Sequence, residues 1–162
     1  GGPATKIDAR RSVANRAHDR VQRLAVKEHL KYPPVIFNGL QARSIANGFA
    51  KAANEGGYAI LACAVMPDHA HLVVARDGRL SEQIRSHLKR GASRRLREDG
   101  LHPMAAFAPV GETLPSPWAR KGWQVYLDSR ADILRAIRYV ENNPIREGMK
   151  AQRWSFIAPY YT

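Results

Sequence analysis

Apolar residues recur along this chain at the two spacings that distinguish helices from strands. Stripes at i, i+3 and i+4 predict amphipathic helices, and runs that are apolar on both alternating faces predict strands covered on both sides. Glycines and prolines mark most of the boundaries between these segments. The predicted elements, in order, are helices at about 15–31 and 38–57, strands at 58–65 and 72–75, a helix from Ser81, a strand at 123–128 and a helix from 128 or 129 to 143.

This order of elements predicts an α+β sandwich with a mainly antiparallel sheet and helices packed on it. A ferredoxin-like sheet needs a strand ahead of the first helix, and residues 1–14 offer no convincing one. We therefore expect the first strand to be missing, and residues 1–14 to be flexible or diverged. The proline-rich residues 99–122 are predicted to be a loop within a single domain that spans 1–162.

The composition favours a soluble protein of the cytoplasm. No apolar run approaches the ~18 residues that a membrane span requires, and the N-terminus shows no secretory signal pattern, so no membrane partner is expected. Cys63 is the single cysteine, which excludes a disulfide framework within one chain.

The net charge of +12 and the sequence pI near 10.4 indicate a polyanionic partner, with nucleic acid as the leading candidate. A merely basic or ribosome-associated protein is the alternative. The helix from Ser81 is the most basic segment, and its cations could also be no more than a solvated helix face. The predicted DNA-binding residues are Arg85, Lys89, Arg90, Arg94, Arg95 and, in the following loop, Lys121.

Two histidines, His69 and His71, flank one small residue where the second strand of a predicted hairpin begins. Because side chains on a strand alternate between its faces, both imidazoles project to the same side and can bind one metal ion. Buried histidines held by backbone hydrogen bonds are the alternative. Asp68 precedes the pair and could orient a histidine or cap the hairpin, so it is not assigned to the site.

Tyr139 and Asn143 stand at i and i+4 on the last predicted helix, away from the stripe that Ile133, Ile137 and Val140 form. The asparagine could instead assist the helix end before Pro144. If this helix packs toward the histidine hairpin, the Asn143 oxygen could complete a three-ligand metal site with the Tyr139 phenol beside it.

Several motifs together carry a resemblance to a known family. They are the run from Met66 to Val74, the basic helix, the strand at Trp123, the run from Tyr139 to Gly148, and the closing run from Arg153 to Phe156. Over about residues 56 to 157 the chain resembles the REP-associated tyrosine transposases of the HUH single-tyrosine transposase superfamily.

The resemblance implies a ferredoxin-like HUH fold and a metal-dependent DNA endonuclease and strand transferase. In such an enzyme, His69, His71 and Asn143 would bind a divalent metal, magnesium or manganese, and Tyr139 would be the nucleophile that forms a 5′-phosphotyrosine link. The substrate would be single-stranded or hairpin (REP-type) DNA, bound by a monomer or homodimer that associates with the nucleoid.

Two other functions stay open. A domesticated or inactive relative would bind hairpin DNA without cutting it. An unrelated His-x-His metallohydrolase would use water in place of Tyr139, although residues 72–77 lack the further histidine and acidic ligands that such enzymes add soon after the pair, apart from Asp77 at the end of that run.

Overall fold

The computed structural model describes residues 4–6, 33–108, 111–119 and 125–161, with the backbone alone for residues 4–6. The predicted helix at 15–31 lies outside these ranges, as do Lys121 and Trp123. The elements in chain order are β1 (Ala4–Lys6), α1 (Gly39–Gly56), β2 (Ile60–Val65), β3 (Ala70–Val74), α2 (Ser81–Glu98), β4 (Val125–Leu127) and α3 (Arg130–Arg146).

The four strands form one antiparallel sheet in the order β2-β3-β1-β4. The prediction that residues 1–14 contain no strand is wrong, since β1 lies between β3 and β4. Thr5 pairs with Val74 on one side and with Tyr126 on the other. A strand of three residues is too short to show an alternation of apolar and polar positions in the sequence. Pairing with β3 and β4 on its two sides stabilises β1 where its local sequence does not.

Helices cover the sheet on both faces. Leu72 and Val74 of β3 pack into a core with α1 and α2, whereas Val73 packs into a second core with Ile133 and Val140 of α3. This division follows from the alternation of side chains along β3. In β2, a register irregularity between Ile60 and Ala62 accompanies the change that sends both Leu61 and Ala62 to the α3 side.

The ends of the helices test the sequence rules for caps. The boundaries of α1 are as predicted: Asn38 Oδ1 accepts the Gln41 N–H at 2.8 Å, and Gly57 ends the helix with φ of 71°. Serine is a preferred N-cap residue, but Ser81 is the first helical residue of α2 and Leu80 precedes it. Its hydroxyl instead lies 3.0 Å from the Tyr126 hydroxyl.

The sequence predicts that α3 ends before Pro144. In the structure the helix continues to Arg146. Proline removes its own N–H and its ring crowds the carbonyl of residue i−4, but its fixed φ suits a helix, and α3 continues for two residues beyond it. The Glu147 N–H still donates to the Asn143 carbonyl at 3.2 Å, and the chain leaves the helix at Gly148, with φ of 77°.

After α3 the chain runs along the outer edge of β2. The Gln152 side chain binds both backbone groups of Val65, each at 2.8 Å, and the Ala158 N–H donates to the Ile60 carbonyl at 2.8 Å. These contacts satisfy backbone groups that an open edge would expose. No helix in the described ranges is long and apolar enough to cross a membrane.

Candidate active site

The two histidines lie on the face of the sheet that α3 covers. His71 is in β3 opposite Ala64, and it shares its face with Val73 of the α3-side core. His69 precedes β3 at the end of the hairpin turn, where its carbonyl accepts the Met66 N–H at 2.7 Å. The hairpin therefore fixes the backbone that carries both imidazoles.

The two imidazoles meet at one point. The Nε2 atoms of His69 and His71 are 2.9 Å apart, and the rings stand at 87° to each other. On its other side, His69 Nδ1 lies 2.5 Å from Asp68 Oδ1. Because a carboxylate accepts, His69 donates from Nδ1, which leaves its Nε2 as an acceptor that faces His71.

Tyr139 of α3 lies beside this pair. Its ring centroid is 5.8 Å from that of His71, and the two planes are nearly perpendicular at 88°. The ring is half-buried and packs at the border of the α3-side core. The structure thus brings together three residues that the sequence singled out from motifs about seventy residues apart.

Asn143 lies one helical turn beyond Tyr139, on the same side of α3. Its side chain is only 4 % exposed, in line with Ala136 and Val140 on the buried face of the helix. The expected stripe of Ile133, Ile137 and Val140 does contact the α3-side core, but the prediction that Asn143 lies away from the buried face is wrong. A buried amide needs partners, which makes Asn143 more than a helix-ending residue.

The donor set fits a divalent cation. Two ligands at about 2.1 Å from one ion and at right angles to each other are about 3 Å apart, which matches the separation of the two Nε2 atoms. An asparagine oxygen is a suitable third donor for a hard cation. The described ranges contain no group of three histidine, cysteine or acidic side chains that could hold a metal, so a site here would depend on the amide.

Arg146 was not predicted from the sequence, yet it contacts the tyrosine. Its guanidinium carbon lies 4.4 Å from the centroid of the Tyr139 ring, and one terminal nitrogen is 3.4 Å from the Tyr139 carbonyl oxygen. The spacing of seven residues on α3, nearly two turns, was the available signal.

The predicted DNA-binding residues of α2 lie on the opposite side of the sheet from the histidines, because α2 belongs to the other core. Arg90 and Arg94 are exposed and line a groove against α1, together with Glu55 and Glu98. Arg95 binds Asp99 at 3.0 Å.

The remaining α2 cations, Arg85 and Lys89, are half-buried on one flank of the helix. The Lys89 ammonium donates to the Ala119 carbonyl at 2.7 Å. Burial, helped by the charge of Arg85, lowers the pKa of Lys89. Both residues are therefore less accessible to DNA than Arg90 and Arg94.

Aromatic side chains of single-strand binders can stack on unpaired bases, but Trp118 packs against Phe37 at 5.4 Å and donates to the Ser93 hydroxyl at 3.1 Å. Its ring therefore supports the core. Tyr126 is 56 % exposed and retains an accessible face.

No protein-family model matches the chain, and no curated protein matches it. Among solved structures, the chain is similar to one described as a REP associates tyrosine transposase bound to a REP hairpin. The TM-score is 0.51 at 16 % identity, covering 96 % of this chain and 75 % of that one. This likeness shows a shared fold, and it confirms the expected α+β architecture with a small antiparallel sheet.

Proposed function

We propose that this protein is a metal-dependent DNA strand transferase with a ferredoxin-like fold of the HUH type, and that Tyr139 is its nucleophile. The observation that carries the proposal is the packing of the Tyr139 ring against His71, whose Nε2 is 2.9 Å from that of His69. Such a phenol beside paired imidazoles, on a basic protein, suits attack on a nucleic-acid phosphate.

His69, His71 and Asn143 would hold a magnesium or manganese ion. When bound, the ion supplies Lewis acidity that makes a phosphate more electrophilic. Asp68 fixes the ring of His69 with Nε2 turned toward the site, and the β2-β3 hairpin holds the backbone of both histidines.

In the proposed step, the Tyr139 phenolic oxygen attacks the phosphorus of a DNA linkage. A new O–P bond forms as the bond between phosphorus and the 3′ oxygen breaks, and the phenolic proton passes through solvent to that oxygen. The products are a 5′-phosphotyrosine and a free 3′-hydroxyl. Because the number of phosphate ester bonds is unchanged, a 3′-hydroxyl can later reverse the step and rejoin strands without ATP.

We further propose that the two sides of the sheet bind different parts of the DNA. The cleaved single strand would lie at the α3 side, and the exposed cations of α2, chiefly Arg90 and Arg94, would bind phosphates elsewhere on the same DNA. A hairpin with single-stranded flanks has the extent to reach both. The similar solved structure holds a REP hairpin, which supports this choice of substrate class.

The proposal is tested with a labelled hairpin oligonucleotide that has single-stranded flanks, incubated with the protein and MgCl₂ or MnCl₂. We expect an adduct that survives denaturation, that EDTA prevents and that Tyr139→Phe abolishes while DNA binding persists. Tyr126→Phe is the matched control, because it removes another accessible phenol from the opposite face of the sheet.

Three results would speak against this function. An adduct that persists in Tyr139→Phe would assign the nucleophile elsewhere. Salt-sensitive binding with no adduct from the wild-type protein would favour a hairpin-binding protein without cleavage. Metal-dependent cutting that leaves no adduct and survives Tyr139→Phe would favour hydrolysis by water.

A further inference from the structure

Arg146 is placed at the candidate active site by the last turn of α3. It follows Tyr139 by seven residues, so it lies about 20° from that tyrosine around the helix. Its guanidinium carbon sits 4.4 Å from the centroid of the Tyr139 ring, and the side chain is exposed. The reaction proposed above makes no use of it.

Among the described residues, the Arg146 side chain makes one hydrogen bond, to the backbone of Tyr139. The guanidinium carbon lies over the ring, and one terminal nitrogen reaches the Tyr139 carbonyl at a long 3.4 Å. Within the described ranges, Arg146 makes no ion pair with a carboxylate. An exposed arginine that lies over an aromatic ring still has donors with which it can bind a phosphate in bidentate fashion.

We propose that Arg146 binds a non-bridging oxygen of the scissile phosphate while its guanidinium stays over the Tyr139 ring. This inference rests on the proposed function. A phosphorus in position for attack lies about 3 to 3.5 Å from the phenolic oxygen, so its outer oxygens come within reach of a cation that lies over the same ring. Arg146 would stabilise the charge that develops on the phosphoryl oxygens.

The test measures adduct formation in a single turnover at saturating DNA. It compares wild type, Arg146→Ala, Arg146→Lys and Arg138→Ala, where Arg138 is an exposed arginine on the solvent side of the same helix. Each protein is incubated with DNA that carries, at the linkage that the wild type attacks, either the normal phosphodiester or a methylphosphonate of one of the two configurations. A methylphosphonate replaces one charged oxygen with a methyl group.

On the phosphodiester, we expect Arg146→Ala to slow adduct formation by about 10²-fold, as the loss of one charge-stabilising donor does. Arg146→Lys should lose less, since it keeps the charge but not the planar fork, and Arg138→Ala should match the wild type. With one methylphosphonate configuration, the loss caused by Arg146→Ala should largely disappear, because the oxygen that Arg146 binds is gone.

Two outcomes would overturn the inference alone: Arg146→Ala reacting as fast as the wild type, or losing the same factor on the phosphodiester and both methylphosphonates. The second would mean that Arg146 has only a structural role and does not bind the phosphate oxygen. If the wild type forms no adduct, the proposed function fails first and the role of Arg146 falls with it.

Discussion

Asp68 decides which nitrogen of His69 faces the candidate metal site. Its carboxylate lies 2.5 Å from Nδ1, and this hydrogen bond keeps Nε2 as the donor atom toward a cation. From the sequence, Asp68 could equally cap the turn, because a residue on a hairpin has several backbone groups in reach. Only the folded hairpin distinguishes the two roles.

Asp68→Asn should therefore weaken Mn²⁺ binding by about 10- to 100-fold. The neutral amide holds the imidazole less firmly than the carboxylate, and the substitution removes a negative charge beside the site. Titration of the protein with Mn²⁺, followed by electron paramagnetic resonance, measures the affinity. Asp77→Asn is the matched control, because Asp77 pairs with Arg79 at 3.2 Å. Equal losses in the two variants would remove Asp68 from the site.

His102 ties the folding stability of the protein to pH. It is 8 % exposed, and its Nδ1 accepts the Met104 N–H at 3.1 Å, which requires the neutral ring. Burial, with a smaller contribution from the positive charge of Arg97, lowers the pKa of His102 below its usual 6.5. The unfolded chain then binds more protons than the folded one as the pH falls.

This linkage predicts that His102 contributes stability above about pH 6.5 and loses that contribution as the pH falls through its lowered pKa. His102→Asn should flatten this part of the pH profile, because the amide oxygen can still accept the Met104 N–H but does not titrate. Urea unfolding between pH 7 and pH 5 measures the difference. Parallel profiles for the two proteins would show that another group carries the pH dependence.

At the scale of elements, α1 could be predicted almost to the residue, because Asn38 and Gly57 act through their own backbone neighbours. The strand β1 could not, since its partners lie about seventy and one hundred and twenty residues away in the sequence. The end of α3 could not be predicted either. Pro144 is a local signal against a helix, whereas the packing that buries this residue depends on the whole fold.

Helices α1 and α2 approach closely through facing glycines. A Cβ added to Gly48 would lie 2.6 Å from the Gly91 carbonyl oxygen and 2.7 Å from the Ala92 Cα. Backbone atoms cannot swing aside as a flexible side chain can. The small residues therefore set the spacing between the two helices on this face of the sheet.

Gly48→Ala should lower the free energy of unfolding by about 1 to 3 kcal/mol, as overpacking of a core does. Gly39→Ala, in the first turn of the same helix with nothing within 4 Å of the added Cβ, should be neutral or stabilise by up to about 1 kcal/mol. Urea unfolding of both variants compares the two. A Gly48→Ala protein as stable as Gly39→Ala would contradict the close packing.

At the scale of the whole molecule, the candidate site exists because α3 crosses β2 and β3 on the face that carries the imidazoles. The period of two along a strand was enough to predict that His69 and His71 share a face. Which helix covers that face, and whether Tyr139 reaches it, depends on packing across the sheet. No spacing in the sequence encodes that contact.

The position of α2 on the other face predicts that its cations affect DNA affinity more than the chemical step. The double variant Arg90→Ala/Arg94→Ala should bind hairpin DNA more weakly, with the slope of log affinity against log salt reduced by about 1.4 to 1.8. At saturating DNA its adduct should form at the wild-type rate. Binding by fluorescence anisotropy at several salt concentrations, together with adduct kinetics, separates the two effects.

The matched control is Arg135→Ala/Arg138→Ala, which removes the same charge from two residues exposed on α3. We expect it to change the salt slope less. If both double variants change the slope alike, the net charge of the protein, rather than the α2 surface, governs its binding to DNA.

The most direct test of the proposed function identifies the residue that becomes linked to DNA. The wild-type protein is incubated with hairpin DNA and MnCl₂, digested with nuclease and protease, and the peptides are sequenced by mass spectrometry. We predict a nucleotide attached through phosphate to Tyr139. A nucleotide on any other residue would contradict the assignment of Tyr139 as the nucleophile, as would an unmodified Tyr139 in a sample where the DNA has been cut.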